Sequence, residues 1–178
     1  MKRALLYLVG IPIAIITLIT AFISIPWILI FIGMYLQPNP PSPDVTYGEF
    51  PFKLVFEVRG ERKEVLDTLI CEFVGFGANE GVGKYRKWDS RFRSGNDTIT
   101  LVKTNDNVEV YYPPGSCKYY MGDLTEGVTH NPVFPGSLVR DKEGSSRIDF
   151  ISKDELFEIY KIKILSWEYS QPINNNFN

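Results

Sequence analysis

The sequence predicts an N-terminal transmembrane helix joined to a mainly β domain. That domain is a β-rich α+β unit, an antiparallel meander or sandwich of about seven or eight strands with one short helix near the C-terminus. Three observations predict it. Residues 4–36 run for 33 positions without a charged side chain. From Phe50 onward, apolar and polar residues alternate with a period of two. Between those runs stand SGND (94–97), TNDN (104–107) and PPGS (113–116), all turn-forming.

The apolar run comes first. At about 1.5 Å per helical residue it extends roughly 50 Å, against a hydrocarbon core of about 30 Å. One span fits with length to spare for tilt, and a two-span hairpin barely fits. Pro12 and Pro26 kink the helix or mark its ends. Lys2 and Arg3 also suit a cleaved signal peptide. The run exceeds an h-region of about 7–15 residues, however, and no small-x-small cleavage site follows. An uncleaved signal anchor is therefore expected over residues 1–37. No cysteine adjoins it, which excludes a lipoprotein. The basic pair precedes the span, and the next basic residue is Lys53, behind Asp44 and Glu49. The positive-inside rule then predicts a single-pass cell-membrane protein with a cytoplasmic N-terminus and an extracytoplasmic domain.

QPNPPSPD (37–44) holds four prolines in eight residues and predicts a stiff, extended spacer over 38–49. The β domain is expected over 50–170, with a frayed tail, QPINNNFN, over 171–178. Setting aside Lys2 and Arg3 leaves 17 basic against 21 acidic residues, a net charge of −4. A domain of that charge is not expected to bind nucleic acid. Cys71 and Cys117 both fall on apolar faces, which favours two buried thiols. Outside the membrane a single disulfide is the alternative. Two cysteines and one histidine offer no metal-ligand spacing, and no cofactor is expected.

Within the domain, Phe52, Leu54, Phe56 and Val58 alternate with Lys53, Val55 and Glu57, as in a half-buried strand. Gly60 marks a tight turn into a strand over 62–73. The three turn segments then predict a four-stranded meander ending in CKYYM. Arg93 is set opposite Thr98, Lys103 opposite Val108, and Tyr112 opposite Cys117. Alternation puts Trp88, Phe92, Ile99, Leu101, Val110, Tyr112, Cys117, Tyr119 and Met121 inward. It puts Lys87, Asp89, Arg91, Arg93, Thr98, Thr100, Glu109, Tyr111, Lys118 and Tyr120 outward. GSLVRDKEGSSRIDFI suggests a further hairpin. Ser152 and Glu155 stand at capping-box spacing and predict a short helix, and KIKILSWEYS returns to strand.

Few segments carry a chemical signature. GFGANEGVGK (75–84) fails as a P-loop, with Ala78 at the first glycine position and Tyr85 at the hydroxyl position. It reads as a glycine-rich connection. His130 is the only histidine and makes no triad with Ser116 or Ser137. Asp67 falls on an apolar face, where a carboxylate needs a partner, and an arginine is the expected one. No catalytic residue is identified. KYRKWDSRFR places a basic stripe beside exposed tyrosines. Lys87, Arg91, Arg93, Tyr111, Lys118 and Tyr120 thus form the candidate binding face, since tyrosine and arginine favour interfaces. The plainer reading of that stripe is a solvated face.

ICEFVGFGANEGVGKYRKW and KIKILSWEYS resemble segments of small single-pass membrane proteins of Gram-positive bacteria. The resemblance implies a membrane location and transfers no active site. The functional expectation is non-enzymatic binding of a partner protein or anionic envelope polymer through the Tyr/Arg/Lys face. An accessory subunit acting through its transmembrane segment is the alternative. A carboxylate-dependent envelope hydrolase ranks last.

Overall fold

The computed structural model describes residues 2–96, 98–103, 108–124, 137–141 and 149–178. Their elements run α1 (Lys2–Leu36), β1 (Tyr47–Val58), β2 (Glu61–Asn79), β3 (Gly83–Phe92), β4 (Ile99–Lys103) and β5 (Val108–Tyr112). Then follow α2 (Cys117–Tyr120), β6 (Ser137–Asp141), β7 (Asp149–Ile151), α3 (Lys153–Tyr160) and β8 (Ile162–Tyr169). An N-terminal apolar helix thus precedes a β-rich domain, as the sequence predicts. The chain divides into two compact bodies. One comprises residues 1–40 with 76–86, the other 41–75 with 87–178.

In the first body, α1 runs unbroken through Pro12 and Pro26. Gly10–Leu36, with a mean hydropathy of 2.6, is long and apolar enough to cross a membrane. Thr17 and Thr20 donate their hydroxyls to the carbonyls of Ile13 and Ile16, both at 2.9 Å. Such back-bonding satisfies a hydroxyl within its own helix, as a span in hydrocarbon would require. The glycine-rich 75–84 segment is not a connection. β2 continues through it to Asn79, and the chain reverses in a tight turn to begin β3. The Asn79 side chain builds that turn, accepting from the amides of Gly81 (3.1 Å) and Val82 (2.8 Å).

Apart from residues 76–86 of β2 and β3, two four-stranded antiparallel sheets, ordered β3-β2-β1-β8 and β4-β5-β6-β7, lie in the second body. β1 and β2 meet through a two-residue turn, with Arg59 and Gly60 at φ 52° and 87° and Val58 opposite Glu61. The inward rows of the sheets share one core. Phe52, Leu54, Phe56 and Val58 of β1 pack with Ile99, Leu101, Val110, Tyr112, Ile162 and Ile164. Leu156 of α3 is fully buried in the same core. Emptying such a site to alanine costs about 2–5 kcal/mol. The helix that delivers Leu156 starts at the predicted capping box. Ser152 Oγ accepts the Glu155 amide, and the Glu155 carboxylate accepts the Ser152 amide.

Several expectations are corrected. β3 pairs with β2, not β4, so β3 and β4 lie in different sheets and form no hairpin. Arg93 is not opposite Thr98. Between β4 and β5 the expected register holds at Ile99↔Tyr112 and Thr100↔Tyr111. A bulge then shifts it by one, leaving Lys103 opposite Glu109 rather than Val108. CKYYM is not a strand. Ser116 caps a helical turn over Cys117–Tyr120, its hydroxyl accepting the Tyr119 amide. Cys71 and Cys117 are not thiols. They form a disulfide with Cα atoms 5.4 Å apart, joining β2 to the first residue of α2.

The tail is not frayed either. Ser42 and Asn178 exchange both backbone hydrogen bonds, at 2.9 and 3.0 Å. The buried Asn175 side chain accepts from Val45 N–H and donates to Val45 C=O, both at 2.9 Å. The second half of the proline-rich spacer is thereby stitched into the domain, with Pro43 bridged to Phe177. The predicted hairpin of β6 and β7 is present, with Leu138 opposite Phe150.

Candidate functional site

The six residues of the predicted face do not share one surface. Lys87 and Arg91 stand exposed on β3, and Arg93 follows its end. Tyr111 lies in the other sheet and is 8% exposed. Lys118 and Tyr120 are on α2, Lys118 exposed and Tyr120 only 2% exposed. The cause is the mispaired topology. A face drawn across β3, β4, β5 and CKYYM needs four hydrogen-bonded strands in sequence order. Here β3 belongs to one sheet, β4 and β5 to the other, and CKYYM is helical.

Tyr120 is a core residue. Its ring stacks on Phe50 with centroids 4.8 Å apart, and its hydroxyl donates to the Pro114 carbonyl at 2.8 Å. Burial pushes its phenol up to about 12, helped by Tyr119 and Tyr169. Phe50, Leu69, Cys71, Cys117, Tyr120 and Met121 form a second core around the disulfide. The Trp88 indole N–H donates to the buried Asp123 at 2.8 Å, tying β3 to the residues after α2. Gly122 has φ +68° and sits so close that a Cβ there would lie 2.7 Å from the Ile173 carbonyl oxygen. Only glycine permits both. Glu109, expected outside, is also buried, with Thr100 Oγ1 donating to it and Lys103 Nζ at 3.5 Å.

The arginines are exposed, and each is paired across strands. Arg91 Nη1 donates to Glu72 at 2.9 Å and lies 3.7 Å from Asp89. Arg93 donates to Glu49, which also accepts the Tyr47 hydroxyl at 2.5 Å. The Tyr47 hydrogen bond foremost, then Arg93, holds the Glu49 carboxyl below its ordinary range. The same bond to Glu49 raises the Tyr47 phenol. The hydrogen bond to Glu72 raises the Arg91 guanidinium further. The basic stripe is thus one side of a mixed-charge ladder. Tyr47 and Glu49 precede Phe50, where the expected domain begins. Their alternation with Phe50 and Phe52 is the signal that extends β1 back to them.

Among the described residues Asp67 meets Ser94 and not the expected arginine. Its carboxylate accepts the Ser94 hydroxyl at 2.5 Å and the Ser94 amide at 3.2 Å. It therefore fixes the turn in which β3 ends, a structural role.

Two predicted residues border the same groove. Arg91 and Tyr111 line a groove of about 480 Å³ where the chain crosses between sheets. Leu69, Phe92, Tyr112, Pro113 and Pro114 give it apolar walls, and Ser90, Asn96 and Thr98 add polar groups. The volume lies in the ordinary range for small-ligand and side-chain pockets, about 300–1,000 Å³. Pro113 and Pro114 have turn composition, and nothing local in the sequence brings them to a groove shared with Ser90, Arg91 and Phe92.

Among the described residues, no three His, Cys, Asp or Glu side chains converge to hold a metal ion. His130 lies outside the described residues. No family model, curated protein or solved structure matches the chain.

Proposed function

We propose that this chain is a non-enzymatic binding module, anchored in a membrane by α1, that recognises a partner protein through the groove beside Arg91. One observation carries the choice between partners. Both arginines of the stripe already hold carboxylates, Glu72 and Asp89 at Arg91 and Glu49 at Arg93. An anionic polymer would have to displace those carboxylates and approach a domain that carries a net −4. A protein surface has no such conflict. Its side chains can enter a groove of aromatic and proline walls while polar groups meet Ser90, Asn96 and the paired charges.

The domain faces outward in this reading. Lys2 and Arg3 flank the start of the helix, and no basic residue follows it until Lys53. The Cys71–Cys117 disulfide supports the same orientation, because such bonds persist in oxidising compartments.

The test is photo-crosslinking in native membranes. A benzophenone side chain at exposed Asn96 should give a discrete protein adduct, and one at Glu61 should not. Ser90→Trp, which fills the groove, should abolish the Asn96 adduct while the protein still inserts and forms its disulfide. An adduct that survives Ser90→Trp would rule the groove out.

A further inference from the structure

We infer that the tip of the β2–β3 hairpin, residues 76–86, docks on the anionic phospholipid headgroups of the bilayer that α1 spans. This tip forms one compact body with residues 1–40, separate from the remainder of the domain. Its contact with the helix is local. Gly83 lies so close to Gln37 that a Cβ there would sit 2.7 Å from the Gln37 Oε1 atom. Gln37 directly follows Leu36, the last residue of the apolar stretch. The chain leaves hydrocarbon at that point, so the turn that touches Gln37 stands at headgroup level.

The composition of the tip fits that level. Val82, at its apex, is 71% exposed. Phe76 and Tyr85 supply aromatic rings of the kind that settle at the membrane interface. The Tyr85 ring lies directly over Gly77, where a Cβ would fall 2.5 Å from its Cζ atom. The Tyr85 ring thus packs on the Gly77 backbone, where a larger residue would displace it. Lys84 and Arg86 flank Tyr85, and Lys87 follows, against the single acid Glu80. Lys84 and Arg86 belong to the same compact body as the end of the apolar helix, and negative headgroups attract such cations. Apolar apex, aromatic ring and basic flank together match a headgroup surface.

The inference rests on α1 spanning the bilayer, and the test separates the two. The full chain carrying Val82→Cys is labelled with an environment-sensitive fluorophore, the native cysteines being joined to each other. It is reconstituted into vesicles of phosphatidylcholine mixed with phosphatidylglycerol, and into phosphatidylcholine alone. A headgroup-level spin-labelled lipid is the quencher. Phe22→Cys reports on the middle of α1 through a chain-level quencher, and Glu61→Cys serves as a remote control. The expected result is strong headgroup quenching at position 82 in the mixed vesicles, weaker in phosphatidylcholine and weaker again in high salt. Lys84→Gln and Arg86→Gln should each weaken docking about fivefold, from about 1 kcal/mol per basic residue at an anionic surface. If position 22 is quenched and position 82 matches position 61, the docking is refuted and the span stands. If neither 22 nor 82 is quenched, both fall.

Discussion

The disulfide is the feature whose removal has the largest calculable effect. It closes a loop with a sequence separation of 46, which contains β3, β4 and β5. Chain-entropy reasoning gives about 4 kcal/mol for a loop of that length. Cys71 and Cys117 are 0% and 5% exposed and sit in the second core, so Cys71→Ala with Cys117→Ala also removes packed sulfur. A loss of about 4 kcal/mol or more is comparable to the whole stability of many domains, about 5–15 kcal/mol. The assay is urea unfolding of the full chain in detergent, followed by tryptophan fluorescence, since Trp88 packs against this core. With an m-value of about 2 kcal/mol/M, the midpoint should fall by about 2 M in the double alanine variant. Thiol alkylation before and after reduction establishes the bond itself. A midpoint unchanged by the double substitution would show that the crosslink constrains nothing that unfolding releases.

Three further outcomes follow from particular contacts. Asn175→Ala strips the N–H and C=O of Val45 of their side-chain partners, at a cost of about 1–3 kcal/mol. Hydrogen exchange should then quicken at Val45 and at Asp44, whose amide donates to the Asn176 carbonyl. The Glu49 carboxyl, held low in the folded state, contributes stability that is present above the unfolded glutamate range of about 4.3 and fades as pH falls through its folded value. Tyr47→Phe should raise its NMR titration midpoint more than Arg93→Gln does, because the tyrosine hydrogen bond is the larger cause. At the alkaline end the sign reverses. The Tyr120 phenol is raised to about 12, so stability is full below the unfolded tyrosine range of about 10 and is lost as pH rises through the folded value. Tyrosinate absorbance should show Tyr120 ionising well after the exposed tyrosines, with unfolding.

Alternation made much of the core legible. Period two alone points Ile99, Leu101, Val110 and Tyr112 inward, and all four are buried. Capping-box spacing located α3, because that signal is local and its geometry admits little else. Pairing between distant segments was not legible. SGND has the composition of a hairpin turn, yet a turn composition cannot say whether the next strand returns beside the last or crosses to another sheet. The site suffered most from this, since its face was drawn across that turn. CKYYM alternates as a strand would, and the Ser116 cap that bends it into a helix is one residue long. The asparagine-rich tail reads as solvated coil, while its order comes from Asn175 meeting Val45, 130 residues away. The arginine stripe was legible as charge. Its neutralisation was not, because Glu49 and Glu72 come from two other strands.

The proposed function turns on a β-rich domain that stands on the outer side of a membrane. The decisive measurement is protease treatment of intact cells with an epitope tag fused after Asn178. External protease should remove the tag without lysis. A tag that survives until the cells are lysed would place the domain in the cytoplasm and overturn the outward orientation.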